Sequence, residues 1–319
     1  MRGVAARKVK PSGLARQPND VLDTNARVAR MSVTSVPPPV PLGRAELIEI
    51  SGADAIAFAH AQFGSDVQGL APSSWQWSSW LTAQGRTRCV FALLRIAPDR
   101  LLIWLPLGDA STIRNALARF VLRANVQISA REDWSIGSLE GIPISADRLQ
   151  RLDEYGDGYA FAQPGPEPRV AWLGPASSTP PDLAKLDAWR LADIAAGLPW
   201  LDPATQDEFV PQALGLERLD AIRFDKGCYP GQEIAARLHF RGGGKQRLYR
   251  LSLLGEGDAP AGMRIVGPSG NAGIVLYSAP SSAQRKEALA VLADTAPDSL
   301  PITSANHHVV ENISNVFAK

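Results

Sequence analysis

Apolar positions along the chain fall into short runs separated by turn residues. Ala45–Ile50 carries Leu47, Ile48 and Ile50 and predicts a strand. Ser51, with Asp54 three residues on, makes a loose capping box for a following helix with Ile56, Ala59 or His60, and Phe63 on one face. Trp75–Leu81, Cys89–Ile96 and Leu101–Leu105 read as strands, the last two flanking a Pro98-Asp99-Arg100 turn. Asp109 or Ser111 opens a helix with Ile113, Leu117, Phe120 and Val121 at helical spacing, and Val126–Ser129 reads as one more strand. Strand, helix, several strands, helix, strand implies an α+β layer.

Residues 131–180 are broken by Gly, Pro, Asp and Ser clusters, and only Val170–Leu173 reads as a strand. From Pro181 a helix sets Leu183, Leu186, Arg190 and Ile194 on one face. Gly197 stands where a left-handed cap belongs and Pro199 follows, the usual stop signal. Arg247–Leu254 begins in near alternation, Gly267–Asn271 is a turn between two apolar runs, and Ala288–Leu292 reads as another strand. These divide the chain into an extension over 1–40, disordered or preceding the working start, a first α+β domain over 41–130, a second over 131–241, a small antiparallel β-barrel over 242–297, and a flexible tail over 298–319.

Composition changes this picture little. The chain has 319 residues, 45% hydrophobic and 20% charged, which suits two or three ordinary globular domains. No stretch approaches the length of a membrane span. Residues 1–30 hold seven Arg or Lys against Asp20 and Asp23, leaving 26 basic against 30 acidic residues in the rest. A nucleic-acid-binding body is therefore not expected. The two cysteines, Cys89 and Cys228, form no C-x-x-C pair, which excludes a disulfide framework and a cysteine zinc site and points to a reducing cytoplasm.

The candidate chemistry lies in Lys226-Gly227-Cys228-Tyr229-Pro230-Gly231-Gln232-Glu233. Gly227 permits a tight turn, and Pro230 suits the first turn of a helix carrying Gln232 and Glu233. That sets Cys228 just ahead of a helix N-terminus, where the dipole and Lys226 favour a thiolate. Glu233 is expected to bond free backbone N–H groups at the helix start. The bland alternative is a buried, inert cysteine, the reading that suits Cys89 inside Val90–Leu94. A cysteine hydrolase needs a partner histidine. His307 and His308 lie in the tail, His60 lies on a core-facing helix, and His239 is about three turns along the same helix, so that pairing is weakly supported. The basic residues Arg237, Arg241, Lys245, Arg247 and Arg250 read best as a solvated face.

The octad, followed by Ala236-Arg237, closely resembles the signature K-G-C-Y-x-G-Q-E-x-x-x-R of the YgfZ family. Phe209–Gln212 resembles its F-[IV]-P-Q element, Trp189 through Pro199 its tryptophan helix, and Ile50–Asp54 with Ser65–Val67 its N-terminal elements. The resemblance covers about residues 42–295. It implies the fold of the glycine cleavage T-protein: two α+β domains around a central channel that binds tetrahydrofolate, plus the C-terminal β-barrel. It also implies a folate-binding accessory role in making or repairing iron–sulfur enzymes, including one that thiolates tRNA, with those enzymes as partners and a cluster held only transiently. The functional thiol is then Cys228, supported by Lys226, Gly227, Tyr229, Gly231, Gln232, Glu233 and Arg237; folate would meet Trp189, Arg190 and Asp193. Three positions depart from the wider superfamily. Gly85–Cys89 carries no carboxylate where the transferases have an acidic pair, Ala195 replaces a pterin-holding Glu, and Ala45 stands for a second tryptophan. Asp193 or Asp187 is the candidate replacement carboxylate. The missing carboxylates place a folate-dependent aminomethyl- or methyltransferase second.

Overall fold

The computed structural model describes residues 38–142, 150–242, 244–267, 270–294, 303–304 and 308–316. The expectations for residues 1–37 and for His307 lie outside the described residues. The chain runs through β1 (Val40–Arg44), β2 (Leu47–Ser51), α1 (Ala55–Gln62), β3 (Ser74–Leu81), β4 (Thr87–Ala97), β5 (Arg100–Trp104), α2 (Ala110–Ala118) and β6 (Gln127–Ala130). An antiparallel sheet of order β3-β4-β5-β2-β6 results. Ile48, Ile50, Phe91, Leu93 and Ile103 pack with Phe58 and Ala59 of α1 and Ile113 and Leu117 of α2. The alternate residues Leu47, Ala92, Leu94 and Trp104 enter a different cluster. Both faces are covered, which is why these strands read as continuous apolar runs.

Local details differ from expectation. Asp54, not Ser51, precedes α1, and its carboxylate accepts from Asn125 N–H at 2.7 Å instead of capping the helix. Its buried residues are Ala55, Phe58 and Ala59; a helix apolar on nearly every side gives periodicity little to choose from. Asp109 caps α2 through Thr112 N–H at 2.6 Å. Phe120 falls beyond the end of α2, exposed, with its ring against Trp80.

Among the described residues of 131–180 there are four strands where one was expected: β7 (Trp134–Leu139), β8 (Leu152–Tyr155), β9 (Gly158–Gln163) and β10 (Arg169–Pro175). With β1 they form a second antiparallel sheet, β1-β7-β10-β9-β8. The first strand thus joins the second sheet and not the one formed by its neighbours in sequence. The sheets share a core in which Phe161 of β9 meets Trp75 and Trp104 at 5.2 and 5.8 Å between ring centres. After them come α3 (Leu183–Ala196), α4 (Pro211–Leu214) and α5 (Gln232–Arg241). Asp182 caps α3 through Lys185 N–H, and Gly197 closes it in the left-handed conformation at φ 66°. Leu183, expected on its apolar face, is exposed.

The third sheet contains β11 (Gln246–Leu254), β12 (Arg264–Gly267), β13 (Gly270–Pro280), β14 (Arg285–Ala293), β15 (Thr303–Ser304) and β16 (Val309–Asn315). All pairings are antiparallel, and β11 pairs with both β14 and β16, so the sheet curls back toward itself. The expectation of a flexible, irregular tail is therefore corrected at β16, which fills the second edge of β11. The overall class is mixed α and β and strand-rich. Among the described residues no helix is long and apolar enough to cross a membrane.

Candidate functional site

The candidate residues gather in two places. One is the Cys228 segment, which leads into α5. Cys228 is exposed, so the inert buried reading is wrong for it; Cys89 is buried, and burial pushes its thiol up to about 12. The flanking residues fix this exposed thiol from beneath. Lys226 does not aim its charge at the sulfur. Its Nζ donates to the carbonyl oxygens of His60 and Phe63, each at 2.6 Å, and of Ser65 at 2.8 Å. These groups lie where α1 ends, and burial pushes the Lys226 ammonium down to about 8 against the opposing pull of Asp66. The Tyr229 ring is buried 5.0 Å from Nζ, and its hydroxyl donates to Arg223 O at 2.8 Å.

Gly231 precedes α5 at φ 75°. A Cβ there would sit 2.3 Å from Thr82 O and 2.8 Å from the Cα of Gly85, so this position requires glycine twice over. The β3–β4 turn thus supports the helix start. Its residues Gly85–Cys89 carry no carboxylate. Instead, Arg86 donates to Glu208 O and Arg88 pairs with Asp207, fastening the turn to the segment before α4. Gln212 Nε2 donates to Ala235 O at 2.9 Å, and Gln232 Nε2 lies 3.5 Å from Lys226 O. Glu233 and Arg237 are exposed, and among the described residues no hydrogen bond joins Glu233 to the helix start.

His60 was set aside on sequence, yet the structure sets it beside this segment. Its Nε2 would lie 3.6 Å from a Cβ on Gly227. Gln68 N–H approaches Nδ1 at 3.3 Å, and Asp66 Oδ1 lies at the same distance. Burial and the Lys226 charge lower its pKa, with Asp66 opposing. Spacing could not reveal this contact, because 166 residues separate His60 from Lys226. His239 instead bonds Glu217 at 2.9 Å and stacks on Phe224.

The second place is a cavity of about 330 Å³ lined by α3, β1, the end of β5, Trp200 and Tyr277. Trp189, Arg190 and Asp193 all line it; Asp187 and Ala195 do not, and Ala45 is buried in the core. Arg169, which sequence reasoning missed, organises the wall. Its guanidinium lies 4.2 Å over the Trp189 ring, donates to Trp189 O at 2.8 Å and Pro164 O at 2.9 Å, and pairs with Asp193. The other Asp193 oxygen accepts from Trp200 Nε1 at 3.0 Å. Burial raises the Asp193 pKa, while Arg169 and Trp200 pull it down. Tyr277 donates to Leu198 O at 2.7 Å, bringing β13 to the cavity. No residue of the Cys228 octad lines this cavity.

Three antiparallel sheets with helices packed among them make a mixed α and β, strand-rich protein whose fold resembles that of the glycine cleavage T-protein. The crystal structure of glycine cleavage system aminomethyltransferase T from Bartonella henselae is similar with TM-score 0.62, covering 86% of each chain at 14% identity, which establishes a shared fold. In sequence the chain is similar to proteins named YgfZ. It is 28% identical over 253 residues to the tRNA-modifying protein YgfZ of Aliivibrio fischeri, covering 73% of this chain and 77% of that protein. Identity rises to 52% over 63 residues with the tRNA-modifying protein YgfZ of Serratia proteamaculans, a match spanning only 19% of that relative. No protein-family model matches the chain.

Proposed function

We propose that this chain is a folate-binding accessory protein for the assembly or repair of iron–sulfur enzymes, including those of tRNA modification, and that it works through the Cys228 thiol. The observation that carries this reading is that Cys228 is exposed while Lys226, Tyr229 and Gly231 are committed to fixing the backbone around it. A thiol presented in this way suits a partner more than a small substrate enclosed by the protein. The names of the relatives support the tRNA link.

The residues present fit a folate. The cavity offers indole surface at Trp189, further aromatic walls at Trp104 and Trp200, and a buried carboxylate at Asp193. Folate there would supply a one-carbon unit or a reduced ring. The chain's own residues would stack that ring on Trp189, hold its donor edge with the remaining lone pairs of Asp193, and exclude water. An iron–sulfur cluster would be cargo. Cys228 gives one ligand, and among the described residues no group of three His, Cys, Asp or Glu gathers, so the client would complete the set. The wider arrangement that belongs to this reading is T-protein-like: two α+β domains around a central channel, the curled sheet as a barrel, and a cytoplasmic setting. The aminomethyl- or methyltransferase reading stands second. It needs a free acid–base group, and both oxygens of Asp193 already have protein partners.

Cells carrying only Cys228→Ala should lose iron–sulfur-dependent tRNA thiolation under oxidative stress. Undiminished thiolation would sink the thiol role. Tetrahydrofolate should quench tryptophan fluorescence of the purified protein, and Trp189→Ala should lose most of that affinity.

A further inference from the structure

One side of α5 is committed and the other is free. On the committed side Ala235 is buried and its carbonyl accepts from Gln212, while His239 bonds Glu217 and stacks on Phe224. At about 100° per residue, Glu233, Ile234, Arg237, Phe240 and Arg241 fall within one arc of about 120°, and all five are exposed. Phe240 is 76% exposed and Ile234 39%. A lone exposed apolar residue is ordinary, but two on one helix face beside two arginines mark a contact surface.

The charges on this face lack partners. Among the described residues neither the Arg237 nor the Arg241 side chain makes a hydrogen bond or ion pair. Glu233 stands four residues before Arg237 and forms no ion pair with it. The arc begins five residues after Cys228 and extends about 12 Å along α5. A molecule seated on it is held beside the exposed thiol.

The mixture of signs selects the class of molecule. A phosphate chain laid along α5 would meet the carboxylates of Glu233 within the arc and Glu217 at its flank, and phosphate contacts dominate nucleic-acid affinity. An interface between proteins accommodates both signs and favours aromatic and arginine side chains.

We infer that the exposed face of α5 is the docking surface for the protein partner of Cys228, and that this partner presents an apolar patch bordered by Asp or Glu. The inference rests on the accessory-protein reading and adds where the client binds and what its surface carries.

Titration calorimetry of the full chain against the purified iron–sulfur enzyme that thiolates tRNA in the same cell tests it. Phe240→Asp and Arg241→Glu should each weaken the complex at least about tenfold. Added salt should weaken the wild-type complex, and Arg241→Gln should reduce that dependence. Melting curves and the rate of Cys228 alkylation should match wild type in every variant, which separates docking from thiol chemistry. Wild-type affinity in Phe240→Asp would overturn the docking surface, and wild-type affinity in Arg241→Glu would overturn the acidic border of the partner. Absence of a wild-type complex would overturn the inference as a whole. In each case, lost tRNA thiolation in Cys228→Ala cells would leave the accessory reading standing, and retained thiolation would remove it as well. Tighter binding to purified tRNA than to the enzyme, abolished by Phe240→Asp, would assign the face to RNA and overturn the protein partner.

Discussion

Lys226→Met tests the account of the Cys228 segment most directly. The ammonium converges on three carbonyl oxygens at 2.6, 2.6 and 2.8 Å, one for each of its donors. Hydrogen bonds to a charged group contribute about 1.5–3 kcal/mol each. Two effects reduce the sum. The side chain is only partly buried, so water can reach some of the orphaned carbonyls, and removing the charge relieves the cost of burying it. A net loss of about 2–4 kcal/mol follows, in the range typical of breaking a buried polar network. Urea unfolding of the full chain should show a lower midpoint at unchanged slope. Lys226→Arg should not restore it, because a planar guanidinium cannot direct three N–H groups to one cluster of carbonyls as an ammonium does. Because the contact ties the end of α1 to the residue two before the cysteine, Lys226→Met should also speed modification of Cys228. A stability change within about 0.5 kcal/mol, with unchanged thiol reactivity, would refute the carbonyl-cage argument.

Thiol titration of the native protein should count one reactive cysteine, Cys228, and unfolding should release the second, Cys89; two reactive thiols before unfolding would contradict the buried position of Cys89. Gly231→Ala should destabilise by about 2 kcal/mol or more, from the left-handed backbone and the contact with Thr82 O, and a wild-type melting temperature would show that neither constraint is real. Glu49 is pushed up by burial, but its bonds to Arg100 and Arg131 outweigh this and leave its pKa below 4.5. Its contribution to stability is therefore complete above pH 4.5 and lost as pH falls through the lower folded value. The advantage of wild type over Glu49→Gln in unfolding midpoint should shrink on acidification, and a pH-independent gap would count against the ion pairs.

The strands of the first sheet were legible because they are apolar and bounded by clear turns, and α3 because Gly197 closes it where the stop signal stands in the sequence. Of the second sheet only β10 was legible, as Val170–Leu173. All six residues of β7 are buried, so it has no alternation, and Gly137 reads as a break. Gly137 is in fact where β1 crosses closely: a Cβ would lie 2.9 Å from the Pro39 side chain and 3.1 Å from Val40 O. The strand β16 was hidden by its polar residues Glu311, Asn312 and Ser314, and it is ordered by pairing along the second edge of β11. At the site, Cys228 and Trp189 were visible as motif residues. Arg169, His60 and Trp200 were not, since each joins its site through tertiary contacts.

The contacts around Cys228 also separate two kinds of loss that a cell assay alone would confuse. Lys226, Tyr229 and Gly231 are engaged with α1, Arg223 and the β3–β4 turn, so their substitution acts through folding. Cys228 is exposed, and Cys228→Ser exchanges one solvent-facing atom. That variant should melt within about 0.5 kcal/mol of wild type and still lose the cellular function. Lys226→Met should lose stability and function together, and a stabilising background should recover part of its function but none of that of Cys228→Ser. If both variants lost function at wild-type stability, Lys226 would have a chemical role that its carbonyl partners do not explain. If Cys228→Ser failed only through instability, the thiol would be structural. The comparison of two residues two positions apart thus decides whether the segment is a frame around one reactive atom or a reactive surface as a whole, and the inward course of Lys226 favours the frame.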